Sequence, residues 1–306
     1  MAGTWIDLLD PSAEELRAKA PKELEDTAIK QLLAPPEHED DPRPTLQGHG
    51  DYIFGIFLVV VAVPDEDTVF YQEIDVVLTH DTLLTVRKTP PGGRPACDFT
   101  LLNKVQKPGE SAGMMAYRLV DEIAERYLDL VDTLNDEIDE LEDRVETQAP
   151  ELTRTRISSL RHDLLHIRRT LSPMRDSVRR VIDNTVEVEE GEEVFPHDVE
   201  VAFNAAYDKF LRASDGLDFA RDLLAGVRDY QQAKIANDQN DVMKRLAVLA
   251  TVFLPLTFLT GFFGQNFLYL TQNVEIPEWT FWALGVGLEI AAAIALFVLI
   301  QRRRWL

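Results

Sequence analysis

The stretch LAVLATVFLPLTFLTGFF, residues 246–263, decides the fold because it is apolar, carries no charge and approaches the length that crosses a membrane. A transmembrane helix needs roughly 20 mostly apolar residues. A second such stretch, WTFWALGVGLEIAAAIALFVLI, occupies residues 279–300 and contains one charge, Glu289. The sequence therefore predicts two transmembrane helices, 246–263 and 279–301, rather than a pair of buried helices in a globular core.

The charges around these stretches predict how the chain crosses the membrane. Basic residues precede the first stretch and follow the second, at Lys244, Arg245 and in the tail 302–306. The loop 264–278 between them contains no Lys or Arg and carries two acids, Glu275 and Glu278. Loops rich in Lys and Arg stay on the cytoplasmic side. We therefore expect a multi-pass protein of the plasma (inner) membrane, with both termini in the cytoplasm and one short outer loop.

The rest of the chain is strongly acidic. The whole sequence holds 31 Lys and Arg against 53 Asp and Glu, a formal net charge of −22. Residues 1–242 account for 26 of the basic and 50 of the acidic residues. A body with this charge repels a phosphate backbone, which excludes a nucleic-acid binder that acts through bulk charge. Cys97 is the single cysteine, so no internal disulfide is expected, and the N-terminus lacks the pattern of a signal peptide.

Residues 1–112 are predicted to form a cytosolic α/β domain. A capping box, Ser12 with Glu15, opens a helix that should end near Pro21, and a second helix should run from there to Leu33. Apolar, β-branched and aromatic runs then predict strands at 52–63, 69–79, 83–87 and 99–105. The predicted class of the cytosolic part is therefore α+β, followed by long helices.

Residues 113–196 should form an antiparallel helical hairpin. Apolar residues recur alternately every four and three positions in two stripes, one from Val120 to Val145 and one from Ile157 to Val181. This spacing predicts two amphipathic helices that pack along their stripes. Pro173 lies inside the second stripe without disturbing its register, so we expect a kink rather than an end of that helix. The acidic stretch 187–193 is typical of a solvated linker.

The third helix is predicted to be very long. It should begin near residue 197 and continue through 263 into the first membrane stretch, roughly 100 Å at 1.5 Å per residue. Its heptad, continued into the membrane, selects small or mildly polar residues: Asn240, Met243, Ala247, Ala250, Leu254, Thr257, Gly261 and Gly264. Such a stripe indicates either tight helix packing or the wall of a pore, and a pore needs several copies of this helix.

The residues around the end of the first stretch resemble a known family. Gly264-Gln265-Asn266 directly follows a segment that contains Leu254-Pro255-Leu256-Thr257 and Thr260-Gly261. Further similarity lies in residues 240–244, in 302–306, and near the start at Trp5-Ile6-Asp7-Leu8 and Glu14-Glu15-Leu16. Together these motifs resemble the CorA family of divalent-cation transporters, with Gly-Gln-Asn in place of that family's usual Gly-Met-Asn.

The resemblance implies a homopentamer with a funnel-shaped cytosolic body and one pore lined by five copies of the long helix. Gly264, Gln265 and Asn266 would form the outer mouth, where Asn266 would hold the metal ion. The pore lining that carries over by position comprises Asn240, Met243, Leu246, Ala250, Leu254, Thr257 and Gly261. In this set Asn240 and Thr257 would be polar positions along the ion path. Met243, Leu246 and Leu254 would form apolar constrictions.

The resemblance also implies the substrates, which are divalent cations: Mg²⁺, with Co²⁺ and Ni²⁺. No permanently bound cofactor is expected. A proton-coupled Zn²⁺ transporter similar to ZntB is the alternative, because the middle residue of the motif is Gln265. Mg²⁺-gated members carry a sensor carboxylate near the start of the long helix, and the matching position here is Ala205. Nearby acids lie out of register, at Asp198, Glu200 and Asp208. The cation, the direction of flux and the gating ligand therefore stay open.

The chemistry of the expected mouth suits a hydrated cation. Mg²⁺ releases its water reluctantly, and neutral amide oxygens accept hydrogen bonds from that water. A ring of carboxylates would bind the ion more tightly and slow its release. Apolar rings deeper in a pore close it by excluding water. Glu275 and Glu278 in the outer loop either raise the local cation concentration or only make the loop soluble, and both interpretations stay open.

Glu289 lies near the middle of the second stretch, where an ionised carboxylate costs roughly 2.5–3.5 kcal/mol. Three explanations are open. The carboxyl is protonated, or it accepts a hydrogen bond from Thr257 or Thr260 of the first stretch, or it is a proton site in a coupled transport cycle. The simplest is a neutral acid that is hydrogen-bonded between the two helices.

Other motifs favour no further site. His162 and His166 share a helix face at a spacing that can bind zinc, but no third ligand is evident. Residues 38–41, His-Glu-Asp-Asp, are typical of a polar loop. No enzyme signature such as a Walker A loop or HExxH occurs, so we do not expect an enzyme. The rival function is a non-conducting, membrane-anchored coiled-coil scaffold, which would not need the stripe that ends at Gly264 and Asn266.

Overall fold

The structure of the chain is a computed structural model. It describes residues 3–36, 44–63, 68–89, 97–99, 109–186, 193–264 and 281–302, together with the single residues 102, 107, 188, 277 and 279. The predicted strand 99–105 and the predicted linker 187–193 fall largely outside the described residues. Packing divides the chain into two compact units, residues 1–228 and 229–306.

The first unit is built on a five-stranded sheet. Its strands are β1 (Thr4–Leu9), β2 (Thr45–His49), β3 (Tyr52–Val63), β4 (Thr68–Leu78) and β5 (Thr82–Arg87). Their order across the sheet is β1-β5-β4-β3-β2, with β1 parallel to β5 and every other pair antiparallel. The three strands predicted between residues 52 and 87 are confirmed to within one residue at each end.

Two edge strands, β1 and β2, were not predicted. Both are short and lack the long apolar run of β3, so their local sequence favours a strand only weakly. β1 pairs with β5, which lies far along the chain, with Thr4 opposite Thr82. Arg87 of β5 donates hydrogen bonds to both carboxylate oxygens of Asp7, at 3.0 Å and 2.7 Å. The strand state of β1 is therefore set by a distant partner.

Two short helices cover one face of the sheet, α1 (Ala13–Lys19) and α2 (Asp26–Leu32). The predicted cap of α1 is confirmed, because the Glu15 backbone N–H donates to Ser12 Oγ at 3.1 Å. The predicted start of the second helix near Pro21 is wrong. α2 begins five residues later, after Glu25 in an extended conformation. Both helices bury apolar residues against this face, among them Leu16 and Leu32 against Val77 and Leu84.

Two long helices form the predicted hairpin, α3 (Ala112–Thr147) and α4 (Pro150–Ile182). Every residue of the two predicted stripes is buried. α4 is continuous through Pro173. The hydroxyl of Tyr127 on α3 lies 3.2 Å from the Leu58 carbonyl oxygen of β3 and 3.1 Å from Thr170 Oγ1 of α4. This fully buried tyrosine therefore joins the sheet to both helices.

The long third helix is confirmed as α5 (His197–Phe263), 67 residues without interruption. Its apolar stripe from Phe203 to Val227 is buried in the first unit, and the remaining part of the helix belongs to the second unit. The second unit also contains a π-helical segment (Phe281–Val286) and α6 (Gly287–Arg302). Within the described residues α5 is the one helix long and apolar enough to cross a membrane, and α6 is a shorter apolar helix. The second membrane span therefore stays a prediction.

Candidate functional site: an exposed stripe on the apolar helix

The predicted pore-lining residues lie together on one side of α5. All are exposed in the single chain: Asn240, Met243, Leu246, Ala250, Leu254, Thr257 and Gly261. With 3.6 residues per turn, these positions span roughly a third of the helix circumference. We call this set the exposed stripe. Met243 and Leu254 are 67% and 70% exposed, which is unusual for large apolar side chains in a folded chain.

Residues 240–247 are exposed on every side of α5, but between residues 248 and 259 the side opposite the stripe is half-buried. Its residues are Val248, Val252, Pro255, Leu256 and Leu259. The second unit therefore packs this side and leaves the exposed stripe uncovered. Exposed phenylalanines lie beside the stripe, at Phe253, Phe258 and Phe262. Contiguous apolar surface of this kind marks a contact with membrane or with other protein chains.

Thr257 supplies polar atoms to the exposed stripe in a defined way. Its hydroxyl donates to the Phe253 carbonyl oxygen at 2.8 Å. This bond uses the single hydroxyl proton, so the remaining lone pairs of Oγ1 can only accept hydrogen bonds. An acceptor on the stripe suits the water shell of a cation, whose hydrogens point outward from the metal.

The predicted outer mouth is described only at its first residue. The Gly264 backbone N–H donates to the Thr260 carbonyl oxygen at 2.9 Å and so completes the last turn at the end of α5. Gln265, Asn266, Glu275 and Glu278 lie outside the described residues. Their predicted roles as mouth, metal ligand and cation-attracting loop stay predictions.

Glu289 of α6 contacts the first apolar helix, as the sequence suggested. Its Oε1 atom lies 2.9 Å from Thr260 Oγ1, and the side chain of Glu289 is half-buried. Of the two threonines considered from sequence, Thr260 is the partner. The hydroxyls of both threonines also contact the carbonyl oxygen four residues earlier in their own helix. The contact that was predicted between Glu289 and a threonine of the first apolar helix is therefore made at Thr260.

The other sequence candidates form no metal centre among the described residues. His162 and His166 are adjacent, with ring centroids 4.4 Å apart. In the described part of the chain no group of three or more His, Cys, Asp or Glu side chains converges as metal ligands. Ala205, at the sensor position, is exposed on α5 and offers no oxygen ligand. Residues 38–41 lie outside the described residues.

A buried charge cluster in the first unit was missed by the sequence analysis. Lys88 Nζ contacts Glu73 Oε1 and lies 2.8 Å from Asp75 Oδ2, and all three side chains are buried. Burial raises the pKa of Asp75 from 3.8 to about 7, and the Lys88 ammonium opposes this rise. The sequence did offer one signal for this cluster, the alternation of Glu73 and Asp75 within a largely apolar strand. Pairing with Lys88 could be recognised only in the fold.

Comparisons with known proteins identify the family to which this chain is similar. The family described as CorA-like Mg²⁺ transporter protein matches residues 2–303. The cobalt/magnesium transport protein CorA of Thermotoga maritima is 26% identical over 267 residues, which cover 86% of this chain and 73% of that protein. The zinc transport protein ZntB of Photorhabdus laumondii is 28% identical over 158 residues, 51% of this chain and 46% of that protein.

Among solved structures, the complete CorA magnesium transporter from Methanocaldococcus jannaschii superposes with a TM-score of 0.79 at 21% identity. The match covers 99% of this chain and 91% of that one. At this identity the likeness shows the fold alone. The α/β unit followed by one long helix is therefore shared across the length of both chains.

Proposed function

Because the chain belongs to the CorA-like Mg²⁺ transporter family, we propose that it transports divalent cations across the plasma membrane as a homo-oligomer, with Mg²⁺, and also Co²⁺ and Ni²⁺, as substrates. The family consists of ion transporters rather than enzymes. We propose a pentamer in which five copies of α5 surround one pore, with both termini in the cytoplasm. The metal ions are substrates of this protein and not resident cofactors.

The observation that carries the proposal is the exposed stripe on α5. One helix cannot enclose a path for an ion, so the stripe acquires a function only when several copies face a common axis. Between residues 248 and 259, the opposite side of α5 is already half-buried within the chain. Assembly around the exposed stripe covers surface that a single chain leaves open, and it brings Asn240 and Thr257 of every copy to the same path.

The order of side chains along the stripe suggests how conduction is controlled. Thr257 offers hydroxyl acceptors that suit a hydrated ion, and Met243, Leu246 and Leu254 would form apolar rings. A narrow apolar ring loses its water readily, and a dry ring blocks a hydrated ion. Mg²⁺ keeps most of its water in protein sites, so a path that accepts the hydrated ion avoids the cost of stripping it.

A proton-coupled Zn²⁺ transporter is the second candidate, and two sequence features favour it. Gln265 replaces the usual methionine of the motif, and Ala205 removes the sensor carboxylate expected of Mg²⁺-gated members. The similarity to ZntB proteins supports the same candidate, although it covers only about half of the chain.

Metal flux into proteoliposomes separates these functions. The full chain is reconstituted and the uptake of Mg²⁺, Co²⁺, Ni²⁺ and Zn²⁺ is measured with and without a pH gradient. We expect Mg²⁺ uptake that needs no pH gradient. Zn²⁺ uptake that depends on the gradient would select the second candidate. No uptake of any of the four ions by a correctly assembled oligomer would overturn transport and favour the non-conducting scaffold.

A further inference from the structure

Three oxygen atoms meet where the two apolar helices touch. Thr260 Oγ1 lies 2.9 Å from the Leu256 carbonyl oxygen of its own helix and also 2.9 Å from Glu289 Oε1 of α6. Both distances are those of hydrogen bonds. A hydroxyl has a single proton to donate, so at most one of these two contacts can use the proton of Thr260.

The other threonines of the segment indicate where that proton goes. Thr251 Oγ1 lies 2.7 Å from the Ala247 carbonyl oxygen, and Thr257 Oγ1 lies 2.8 Å from that of Phe253. Thr260 repeats the same bond to the residue four positions earlier. If its proton instead pointed at Glu289, its Oγ1 and the Leu256 carbonyl oxygen would face each other at 2.9 Å without a proton between them. The second contact therefore needs a proton from Glu289.

Among the described residues, the two apolar helices supply no charged or titratable partner for Glu289. Residues 246–264 and 281–301 contain no Lys, Arg, His, Asp, Tyr or Cys, and Glu289 is their one Glu. Arg245 and Arg302 are 15 and 13 residues away from Thr260 and Glu289 along their helices, roughly 20 Å or more. Neighbouring copies would contribute the same uncharged segments. Tyr269, Glu275 and Glu278 of the loop lie outside the described residues.

We propose that Glu289 is held as a neutral carboxylic acid and donates its proton to Thr260 Oγ1, so that one proton joins α6 to the outer end of α5. Glu289 is then a positioning residue for the proposed pore. It acts through Thr260, which lies beside the exposed stripe and one turn before Gly264. Loss of the proton would replace a hydrogen bond by two facing acceptors and would separate the helices at this point. The proposal rests on the proposed function only for the effect on transport.

Infrared spectroscopy tests the protonation directly and requires no transport. Spectra of the full chain in lipid at neutral pH are compared for wild type and Glu289→Gln. We expect the difference spectrum to contain the carbonyl band of a protonated carboxylic acid. Thr260→Val should shift this band, because the acceptor is lost, while Thr260→Ser should leave it in place. A carboxylate signal in the difference spectrum, or a band that is insensitive to Thr260→Val, would overturn the proposal.

Transport and thermal stability test the consequence with matched variants. Glu289→Gln keeps a donor, its amide N–H, and should match wild type in flux at each pH and in melting temperature. Glu289→Leu loses the donor and should lower both, as should Thr260→Val, and the double variant should be no worse than either single one. If Glu289→Gln assembles normally but abolishes a pH dependence seen in wild type, Glu289 is a proton carrier instead and the fixed neutral state is wrong. Failure of the proposed function would show as absence of flux in wild type, with the infrared result unchanged.

Discussion

Lys88, directly after β5, places its Nζ atom 2.8 Å from Asp75 Oδ2 of β4, and both side chains are buried. The same ammonium contacts Glu73, so two carboxylates share one positive charge. Burial, with a smaller contribution from the Glu73 carboxylate, raises the pKa of Asp75 to about 7, although the Lys88 ammonium lowers it. We therefore expect the stability of the first unit to depend on pH close to neutrality.

The first prediction follows from the sign of that shift. The folded state binds the Asp75 proton more tightly than the unfolded chain, whose carboxyl titrates near 3.8. The contribution of Asp75 to the free energy of unfolding should therefore be greatest below about pH 4. It should fall by roughly 2–4 kcal/mol as the pH rises to about 7. Asp75→Asn should remove this component. Melting temperatures of the full chain over this pH range measure it, with the exposed Asp51→Asn as control. Equal pH slopes for wild type and Asp75→Asn would contradict the prediction.

The second prediction concerns the outer mouth. Asn266→Ala removes the amide that should accept hydrogen bonds from the hydration shell of the ion, so metal uptake should fall to background. Assembly should persist, because no buried stripe is altered. Asn273→Ala is a matched control, since it removes the same amide from the same loop outside the Gly264-Gln265-Asn266 motif. Full uptake by an assembled Asn266→Ala oligomer would exclude this residue from the site.

The third prediction concerns the apolar constrictions. Leu254→Ser or Met243→Ser should raise the leak of ions several-fold, because a polar ring retains water where an apolar ring loses it. Leu249→Ser is the control, since Leu249 is also exposed but lies off the stripe. Ion leak from loaded proteoliposomes is the measurement. If the Leu249 variant leaks as much as the other two, the stripe does not line the path.

The fourth prediction compares two helical glycines. A Cβ on Gly113 of α3 would overlap the Val194 backbone carbonyl oxygen, whereas a Cβ on Gly226 of α5 would meet no atom of the chain within 4 Å. Gly113→Ala should therefore lower the free energy of unfolding by about 1–3 kcal/mol through overpacking. Gly226→Ala should be neutral or stabilising by up to about 1 kcal/mol through helix propensity. Melting temperatures of both variants in the full chain test this contrast, and a stable Gly113→Ala would show that the loop near Val194 can move.

Much of this fold could be predicted because its strongest signals are local. The buried stripes of α3, α4 and α5 repeat at the helical period over many turns, and the run of β3 is long and apolar. The cap at Ser12 is recognised within four residues. The membrane stretch 246–263 needs only its length and lack of charge. For each of these features the deciding interactions are between residues close in the chain.

What only the tertiary structure decided involves partners distant in sequence. β1 is a strand because β5 supplies its hydrogen bonds. The pKa of Asp75 is raised because folding buries it beside Glu73, against the opposing effect of Lys88. The sequence offered Thr257 and Thr260 equally as partners of Glu289, and the rotation of α5 against α6 selected Thr260. Hydrophobic period determines which face of a helix is buried, but the register between two helices depends on packing along their whole contact. That register is a property of the assembled unit, and it decides which two oxygens share a proton.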